Sequence, residues 1–175
     1  MYKDKYSGGR ILPRKISQSK NIKEKSSANH TNGQIENPPM KIIARIRSDF
    51  TEKFGIPRQS GLVEALKSWI VFEPTYGNPD PFRGLEDFSH LWLIWGFSKN
   101  VRELYSPTVR PPRLGGSKRV GVFATRSPFR PNPIGLSSVK LDSIENHPEF
   151  GIIIHISGAD LLDNTPIYDI KPYLS

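Results

Sequence analysis

The feature that most constrains this chain is a succession of short apolar runs, each closed by proline, glycine or a polar turn residue. Such runs are short for helices, and their β-branched and aromatic residues favour extended backbone. Because they recur along residues 41–171, they predict a chain built of short strands. Seven runs are predicted to be strands: KIIARI (41–46), WIVFE (69–73), HLWLIWGF (90–97), VGVFAT (120–125), IGLSSVKL (134–141), GIIIHIS (151–157) and PIYDIK (166–171).

Helical patterns are few. GLVEALKS (61–68) predicts two helical turns and FRGLEDF (82–88) predicts one. Many short strands with polar loops between them indicate a mainly β fold, a single small barrel or curved sheet, and disfavour a doubly wound α/β fold. HLWLIWGF is nearly continuous in apolar residues, so we expect a strand that is buried on both faces, with Trp92 and Trp95 pointing to opposite sides.

Charge and composition divide the chain into two parts. Residues 1–40 carry eight basic and three acidic side chains, are rich in Ser, Asn and Lys, and show no sustained apolar period. We expect this basic leader to be disordered, either as a solvated tail or as an RNA-gripping arm. Residues 41–175 are expected to form one domain with its own core.

Composition also limits location and partners. The chain has no cysteine, which fits a reducing compartment such as the cytoplasm, and it has no run long enough to span a membrane. The net charge of +8 favours an anionic partner, with nucleic acid as the default expectation.

The common signatures of cofactor and nucleophile sites are absent from the sequence. It contains no GxGxxG, no P-loop spacing and no GxSxG. The four histidines (30, 90, 147 and 155) show no metal-ligand spacing, so no metal site is predicted.

Four polar clusters interrupt the strand pattern, and each could by itself be an ordinary turn or a solvated loop. All four place proline-stiffened backbone beside polar side chains. Since proline fixes φ, its neighbours lose little conformational entropy when they bind a ligand. Together the clusters therefore predict a rigid ligand site. They are FGIPRQSG (54–61), VRPPRLGGSKR (109–119), RSPFRPNPIGLS (126–137) and DLLDNTPIYDIKPY (160–173).

The order of these motifs resembles a known family. FGIPRQSGLV, LEDFSHLWLIW, VRPPRLGG, VGVFATRSPFRPNPIGLS and DNTPIYDIKPY are similar to the TsaA-like family, also called TrmO, from about Lys41 to Ser175. The resemblance implies a small β-barrel, unlike Rossmann and knotted methyltransferases, that works as a homodimer. It implies a tRNA methyltransferase that transfers a methyl group from S-adenosylmethionine to N6 of threonylcarbamoyl-adenosine 37, beside the anticodon.

The resemblance also implies a set of cofactor contacts. Two departures from the family pattern fall within it: Ser98-Lys99 stands where His-Gln is common, and Asn164 stands where Gly is common in Asp-Gly-Thr-Pro. Asn tolerates a positive φ well, so we expect the turn to persist. The resemblance also implies that many bacterial members continue past KPY with a small C-terminal lobe, whereas the sequence given ends at Ser175. The implied contacts are Pro57, Arg58, Gln59, Ser98, Lys99, Arg126, Leu136, Asp163, Asn164, Thr165 and Pro166.

Two further roles follow from the chemistry of that reaction. The exocyclic amine of adenine is a poor nucleophile, and Asn132, held between two prolines, is the candidate catalytic residue that accepts a hydrogen bond from it. The alternative function is a non-catalytic barrel that binds S-adenosylmethionine or RNA. The candidates for contacts to the phosphates of the tRNA anticodon stem-loop are Arg110, Arg113, Lys118, Arg119 and Arg130.

Overall fold

The computed structural model describes residues 39–52, 55–57, 59–63, 65–99, 104–112 and 115–174. Within them the backbone forms eight strands joined mostly by irregular loops. The strands are β1 (Ala44–Arg47), β2 (Lys67–Phe72), β3 (His90–Gly96), β4 (Thr108–Val109), β5 (Val120–Gly121), β6 (Ile134–His147), β7 (Gly151–Ser157) and β8 (Pro166–Pro172).

Six strands close into an antiparallel barrel in the order β1-β2-β7-β6-β3-β8. The barrel closes at Ala44 of β1, which pairs with Phe72 of β2 on one side and with Ile167 of β8 on the other. β4 and β5 form a separate two-stranded ribbon. The described helix is limited to single 3-10 turns, so the predicted mainly β barrel with little helix is confirmed. These turns are Pro74–Tyr76, Asp80–Phe82, Leu85–Asp87 and Val122–Ala124.

The core follows from the alternation of side chains along each strand. Every second residue points into the barrel, where a closed sheet offers no edge to water. Burial of one such aliphatic side chain stabilises the fold by roughly 1.5–3 kcal/mol. The fully buried inward residues are Ile46, Ile70, Leu91, Leu93, Ile154, Ile156 and Ile167.

Most of the predicted strands are confirmed, although their ends differ. GIIIHIS has the bounds of β7, and β1, β2, β3 and β8 each overlap their predicted runs. β6 is longer than IGLSSVKL because DSIENH continues it to His147, where a turn leads into β7. Gly151 closes that turn with φ of 67°, a conformation that favours glycine.

The prediction of a strand over VGVFAT is wrong beyond its first two residues. Val122–Ala124 form a 3-10 turn, and the Phe123 side chain is 74% exposed. The Thr125 hydroxyl donates to the Val122 carbonyl at 2.8 Å and accepts from the Ser127 amide at 3.2 Å. These local side-chain bonds compete with strand pairing and end β5 early.

The prediction of a helix over GLVEALKS is also wrong. Lys67 and Ser68 begin β2, and the described residues before them form turns and bends. Gly61 has φ of 78°, and Leu62 and Val63 are exposed, so no apolar face is available to stabilise a helix. Glu64 lies outside the described residues.

The expectation that HLWLIWGF is buried on both faces is wrong in part. Leu91 and Leu93 are fully buried inside the barrel, whereas Trp92 and Ile94 are only half-buried outside it. In a closed barrel only the inner face must be apolar. Trp92 packs against Tyr173, and Trp95 packs against Phe97, so the two indoles do lie apart.

No described helix is both long and apolar enough to cross a membrane.

Candidate functional site

Two adjoining cavities lie where β3 ends, β6 begins and the chain continues beyond β7. The larger cavity has a volume of about 390 Å³ and the smaller one of about 220 Å³. Trp95, Phe97 and Asp160 line both, and we call these three residues the junction. The cavities are therefore two lobes of one site that meet at a pair of aromatic rings and a carboxylate.

The position of the Trp95 indole depends on the glycine opposite it. Trp95 of β3 pairs with Gly135 of β6, and a Cβ built on Gly135 would overlap the indole ring. β3 also shifts register against β8 between Ile94 and Trp95, and an irregularity of this kind changes the direction of the side chains next to it. The indole therefore lies across Gly135, with its centroid 4.5 Å from that of Phe97.

A chain of hydrogen bonds fixes the carboxylate of the junction. Trp95 Nε1 donates to Ser137 Oγ at 3.0 Å, and Ser137 Oγ donates to Asp160 Oδ1 at 2.6 Å. Ser137 is fully buried, so the water that could compete for these bonds is excluded. None of the described residues donates to Asp160 Oδ2. Within the described part of the chain, the carboxylate is therefore anchored through Oδ1 alone.

Two arginines give the larger cavity positive charge. Arg126 Nη2 donates to the Leu136 carbonyl at 2.6 Å. Arg130 Nη1 donates to the carbonyls of Val122 and Thr125, at 3.2 and 2.6 Å, and its guanidinium lies over the Phe123 ring. Because both arginines bond to carbonyl oxygens and line the larger cavity, they hold the 122–136 segment together and also favour anionic ligand groups.

The Asp-Asn-Thr-Pro turn keeps its shape with asparagine in place of glycine. Asn164 has φ of 62°, and its amide donates to the Ile46 carbonyl at 2.9 Å. Asp163 Oδ1 accepts the Ser48 amide at 3.1 Å, and Arg47 lies 3.7 Å from Oδ2. The expectation that asparagine preserves this turn is confirmed, and the Asp163 carboxylate ties the turn to the residues after β1.

The structure brings together six of the eleven residues that were predicted to contact a cofactor. Pro57, Arg126 and Leu136 line the larger cavity, and Ser98, Lys99 and Thr165 line the smaller one. The remaining described members of the set line neither cavity, and Arg58 lies outside the described residues. Those members are Gln59, Asp163, Asn164 and Pro166.

The other predicted residues are more scattered. Asn132 is exposed and lines neither cavity, and its carbonyl accepts the Ile134 amide at 2.8 Å. Arg110, Lys118 and Arg119 are exposed, and Arg119 donates to Thr108 Oγ1 at 2.7 Å. Arg130 belongs to the cavity wall, and Arg113 lies outside the described residues.

Sequence reasoning missed the junction and the serine that anchors it. Trp95 was interpreted as core, and Asp160 was part of a polar cluster but was not singled out. A small polar residue such as Ser137 within an apolar strand is a signal that could have been followed. The described residues include no group of three or more His, Cys, Asp or Glu side chains that could hold a metal ion.

Comparison with known proteins gives consistent matches. Over 132 residues the chain is 50% identical to the tRNA (adenine(37)-N6)-methyltransferase of Escherichia coli strain K12, covering 75% of this chain and 56% of that protein. It is 36% identical over 132 residues to a protein of Pyrococcus abyssi named "Probable S-adenosyl-L-methionine-binding protein", covering 75% of this chain and 66% of that protein. The crystal structure of TrmO from Pseudomonas aeruginosa matches with a TM-score of 0.63 and 38% identity, covering 81% of this chain and 58% of that one.

The chain thus spans little more than half the length of the Escherichia coli and Pseudomonas aeruginosa proteins that it matches. A family model, that of the tRNA-methyltransferase O N-terminal domain, matches residues 45–175 and so includes all eight strands except the first residue of β1. The chain belongs to the family of the tRNA-methyltransferase O N-terminal domain.

Proposed function

We propose that this chain is an S-adenosylmethionine-dependent tRNA methyltransferase that modifies N6 of adenosine 37, in its threonylcarbamoyl form, beside the anticodon. The observation that carries this proposal is the 50% identity to the Escherichia coli enzyme of that name. The two-lobed site supports it, since residues that were predicted to contact the methyl donor line both lobes.

The residues present fit this cofactor. Ligand cavities are commonly about 300–1,000 Å³, and the larger cavity falls in that range at about 390 Å³. Arg126 supplies a cation for a carboxylate, and Leu136 and Ile134 supply apolar contact. Ser98, Lys99 and Thr165 supply polar groups in the smaller cavity. The remaining proposed contacts are Pro57, Arg58, Gln59, Asp163, Asn164 and Pro166.

When bound, the cofactor supplies a methyl group on a sulfonium, which is activated for in-line transfer. The task of the protein is then to hold the acceptor amine in line and to exclude water. We propose that the Asn132 side-chain oxygen accepts a hydrogen bond from that amine. Asn132→Ala is expected to slow single-turnover methylation about 10²-fold with unchanged cofactor affinity. Near-normal methylation in this variant would remove Asn132 from the mechanism.

The direct test of the proposed activity is transfer of labelled methyl to total tRNA from a strain that lacks the corresponding enzyme. We expect incorporation at one adenosine beside the anticodon. Cofactor binding without any transfer would instead favour the alternative, a non-catalytic barrel that binds S-adenosylmethionine or RNA. Calorimetry with S-adenosylmethionine that shows no binding would favour a plain RNA-binding barrel.

A matched pair of arginine variants tests the placement of the cofactor. Arg126→Ala removes a cation from the larger cavity and is expected to weaken S-adenosylmethionine binding about 10–100-fold, the range for a lost charge-assisted hydrogen bond. Arg83→Ala removes the same charge from an exposed site paired with Asp80 and should change the affinity less than twofold. Equal affinities for the two variants, measured by calorimetry, would place the cofactor elsewhere.

We propose that Arg110, Arg113, Lys118, Arg119 and Arg130 contact phosphates of the tRNA anticodon stem-loop. Each phosphate contact adds nearly one unit to the slope of log affinity against log salt concentration. Lys118→Ala should therefore lower tRNA affinity and reduce that slope by about one unit in filter-binding titrations. An unchanged slope would remove Lys118 from the RNA contacts.

We also infer that the chain forms a homodimer in the cytoplasm, where tRNA is modified. A partly exposed apolar area on the outer face of the barrel supports dimerisation, because Trp92 and Ile94 of β3 lie beside Leu136 of β6. Light scattering is expected to give twice the mass of one chain, and Ile94→Glu is expected to give a monomer. A wild-type monomer at all concentrations would exclude the dimer.

A further inference from the structure

Asp160 is the one carboxylate among the described residues that line the two cavities. The charged side chains around it are cations: Arg126 and Arg130 in the larger cavity and Lys99 in the smaller. Neither arginine forms an ion pair with Asp160, because each donates to backbone carbonyls instead. Among the described residues, Asp160 Oδ2 thus has no donor, and the other charged side chains that line the two cavities are positive.

The surroundings of Asp160 suit a cation that carries alkyl groups. The rings of Trp95 and Phe97 line the same two cavities, with centroids 4.5 Å apart. Aromatic faces attract cations, most strongly when water is excluded, and a nearby carboxylate adds to that attraction. The bonds from Trp95 to Ser137 and from Ser137 to Asp160 hold the carboxylate in place beforehand.

We propose that Asp160, together with Trp95 and Phe97, recognises the positive sulfonium of the methyl donor, so that the site prefers S-adenosylmethionine to the neutral thioether product, S-adenosylhomocysteine. This inference rests on the proposed function. The donor also has an amino group, but that group adjoins its carboxylate, which the arginines of the larger cavity attract. The sulfonium carries the methyl group to be transferred and must lie where the acceptor can reach it, which is between the two lobes.

The preference has a consequence for turnover. Transfer of the methyl group to nitrogen removes the positive charge from sulfur, so the attraction to Asp160 is present for the donor and absent for the product. The junction thereby weakens product binding without weakening donor binding. Selectivity of this kind appears in equilibrium affinities and does not require catalysis to be measured.

Calorimetry with three ligands tests the proposal: S-adenosylmethionine, S-adenosylhomocysteine and sinefungin, whose amine is positively charged at the position of the sulfonium. Asp160→Asn removes the charge but keeps an oxygen that can accept from Ser137. We expect wild type to bind both cationic ligands roughly tenfold more tightly than the thioether, and the variant to lose most of that preference. Asp169→Asn, which removes the same charge from a half-buried carboxylate that is paired with Lys171 on β8, is the control and should keep the preference.

Each outcome decides the question. Retained thioether affinity with lost preference supports the proposal and shows that Asp160→Asn is folded. An equal loss of affinity for all three ligands would mean that Asp160 contacts a part of the ligand that they share. Unchanged affinities would mean that Asp160 contacts no part of the ligand. Either result overturns the proposal. If wild type binds none of the ligands, the proposed function itself fails.

A second variant tests the aromatic part of the junction. Trp95→Leu removes the ring and the Nε1 donor but leaves the charge of Asp160 in place. We expect the preference for the cationic ligands to fall about threefold while the thioether still binds. A preference equal to that of wild type would show that the aromatic rings contribute nothing to recognition of the charge.

Discussion

Two of the described carboxylates accept a hydrogen bond from a serine hydroxyl on a different segment, and their surroundings differ. Asp142 in β6 accepts from Ser157 of β7 and also from Lys67 Nζ of β2, at 2.9 Å. Lys67 Nζ lies 2.7 Å from Ser157 Oγ as well, so the three side chains form a closed cluster. Asp160, just beyond β7, accepts from Ser137 alone among the described residues, and no described cation pairs with it.

The difference separates a structural contact from a binding site. The Lys67–Asp142–Ser157 cluster joins three neighbouring strands at the point where β6 shifts register against β7, between Leu141 and Ser143. There both donors contact Oδ2 of Asp142, and one of them is the Lys67 cation, so the charge of the carboxylate is matched within the protein. At the junction the same serine-to-aspartate bond holds a carboxylate that lines two cavities and that none of the described cations pairs with. A carboxylate thus indicates a binding site when it lines a cavity and no described cation matches its charge.

The largest effect is expected from a variant that displaces Trp95 from the junction. Gly135→Ala places a Cβ where the Trp95 indole lies, so the ring must move away from Ser137. We expect a loss of roughly 1–3 kcal/mol in the free energy of unfolding, the usual range for overpacking, and at least tenfold weaker binding of S-adenosylmethionine. Urea denaturation and calorimetry measure the two effects.

Gly121→Ala is the matched control for that variant. Gly121 has φ of −59°, and a Cβ there would meet no atom within 4 Å. Its free energy of unfolding should stay within about 0.5 kcal/mol of wild type. If Gly135→Ala behaved like Gly121→Ala, the placement of Trp95 across Gly135 would be contradicted.

A smaller effect should distinguish the two carboxylates by stability. Asp142→Asn removes the charge that Lys67 requires, and we expect a loss of about 1 kcal/mol in the free energy of unfolding. Asp160→Asn removes a charge that no described cation matches, so its stability should remain within about 0.5 kcal/mol of wild type. Urea denaturation of both variants checks this, and an equal loss in the two would end the distinction drawn between them.

The fold was predictable from the sequence to the extent that local pattern determines it. GIIIHIS became β7 with the predicted bounds because buried β-branched residues and flanking turn residues agree there. VGVFAT has a similar composition, but the Thr125 hydroxyl donates to the Val122 carbonyl, accepts from the Ser127 amide and so ends the strand. The closing pair of β1 with β8 brings Ala44 to Ile167, and no local pattern contains that pairing.

The site was predictable where the family resemblance assigned its residues, as with Arg126 and Leu136, which both line the larger cavity. The junction was not predictable, because the hydrogen bond that fixes it joins Ser137 of β6 to Asp160 beyond β7. Only the pairing of the barrel strands brings these two side chains together. A single aspartate in a polar loop carries no sign of whether its partners satisfy it. That property belongs to the tertiary structure, and here it separates Asp160 from Asp142.

The smallest expected effect is a pH dependence that belongs to the closed cluster. Burial raises the pKa of Asp142, but hydrogen bonds from Ser157 and Lys67 and the positive charges of Lys67 and Lys140 outweigh it and leave that pKa below its ordinary value. A carboxyl whose pKa is lower in the folded than in the unfolded chain contributes stability above its unfolded pKa, about 4, and loses it as the pH falls through the folded pKa. The difference in free energy of unfolding between wild type and Asp142→Asn should therefore be largest near pH 7 and shrink below about pH 4.

Urea denaturation of the two proteins at a series of pH values measures that difference. Its change between pH 5 and pH 3 should amount to only a few tenths of a kcal/mol, since exposed partners contribute little. Lys67→Met is the matched variant, because it removes the cation and leaves the carboxyl, and it should flatten the same dependence. A difference that grew as the pH fell would show that the pKa of Asp142 is raised in the folded chain, and that burial, not the cluster, controls its charge.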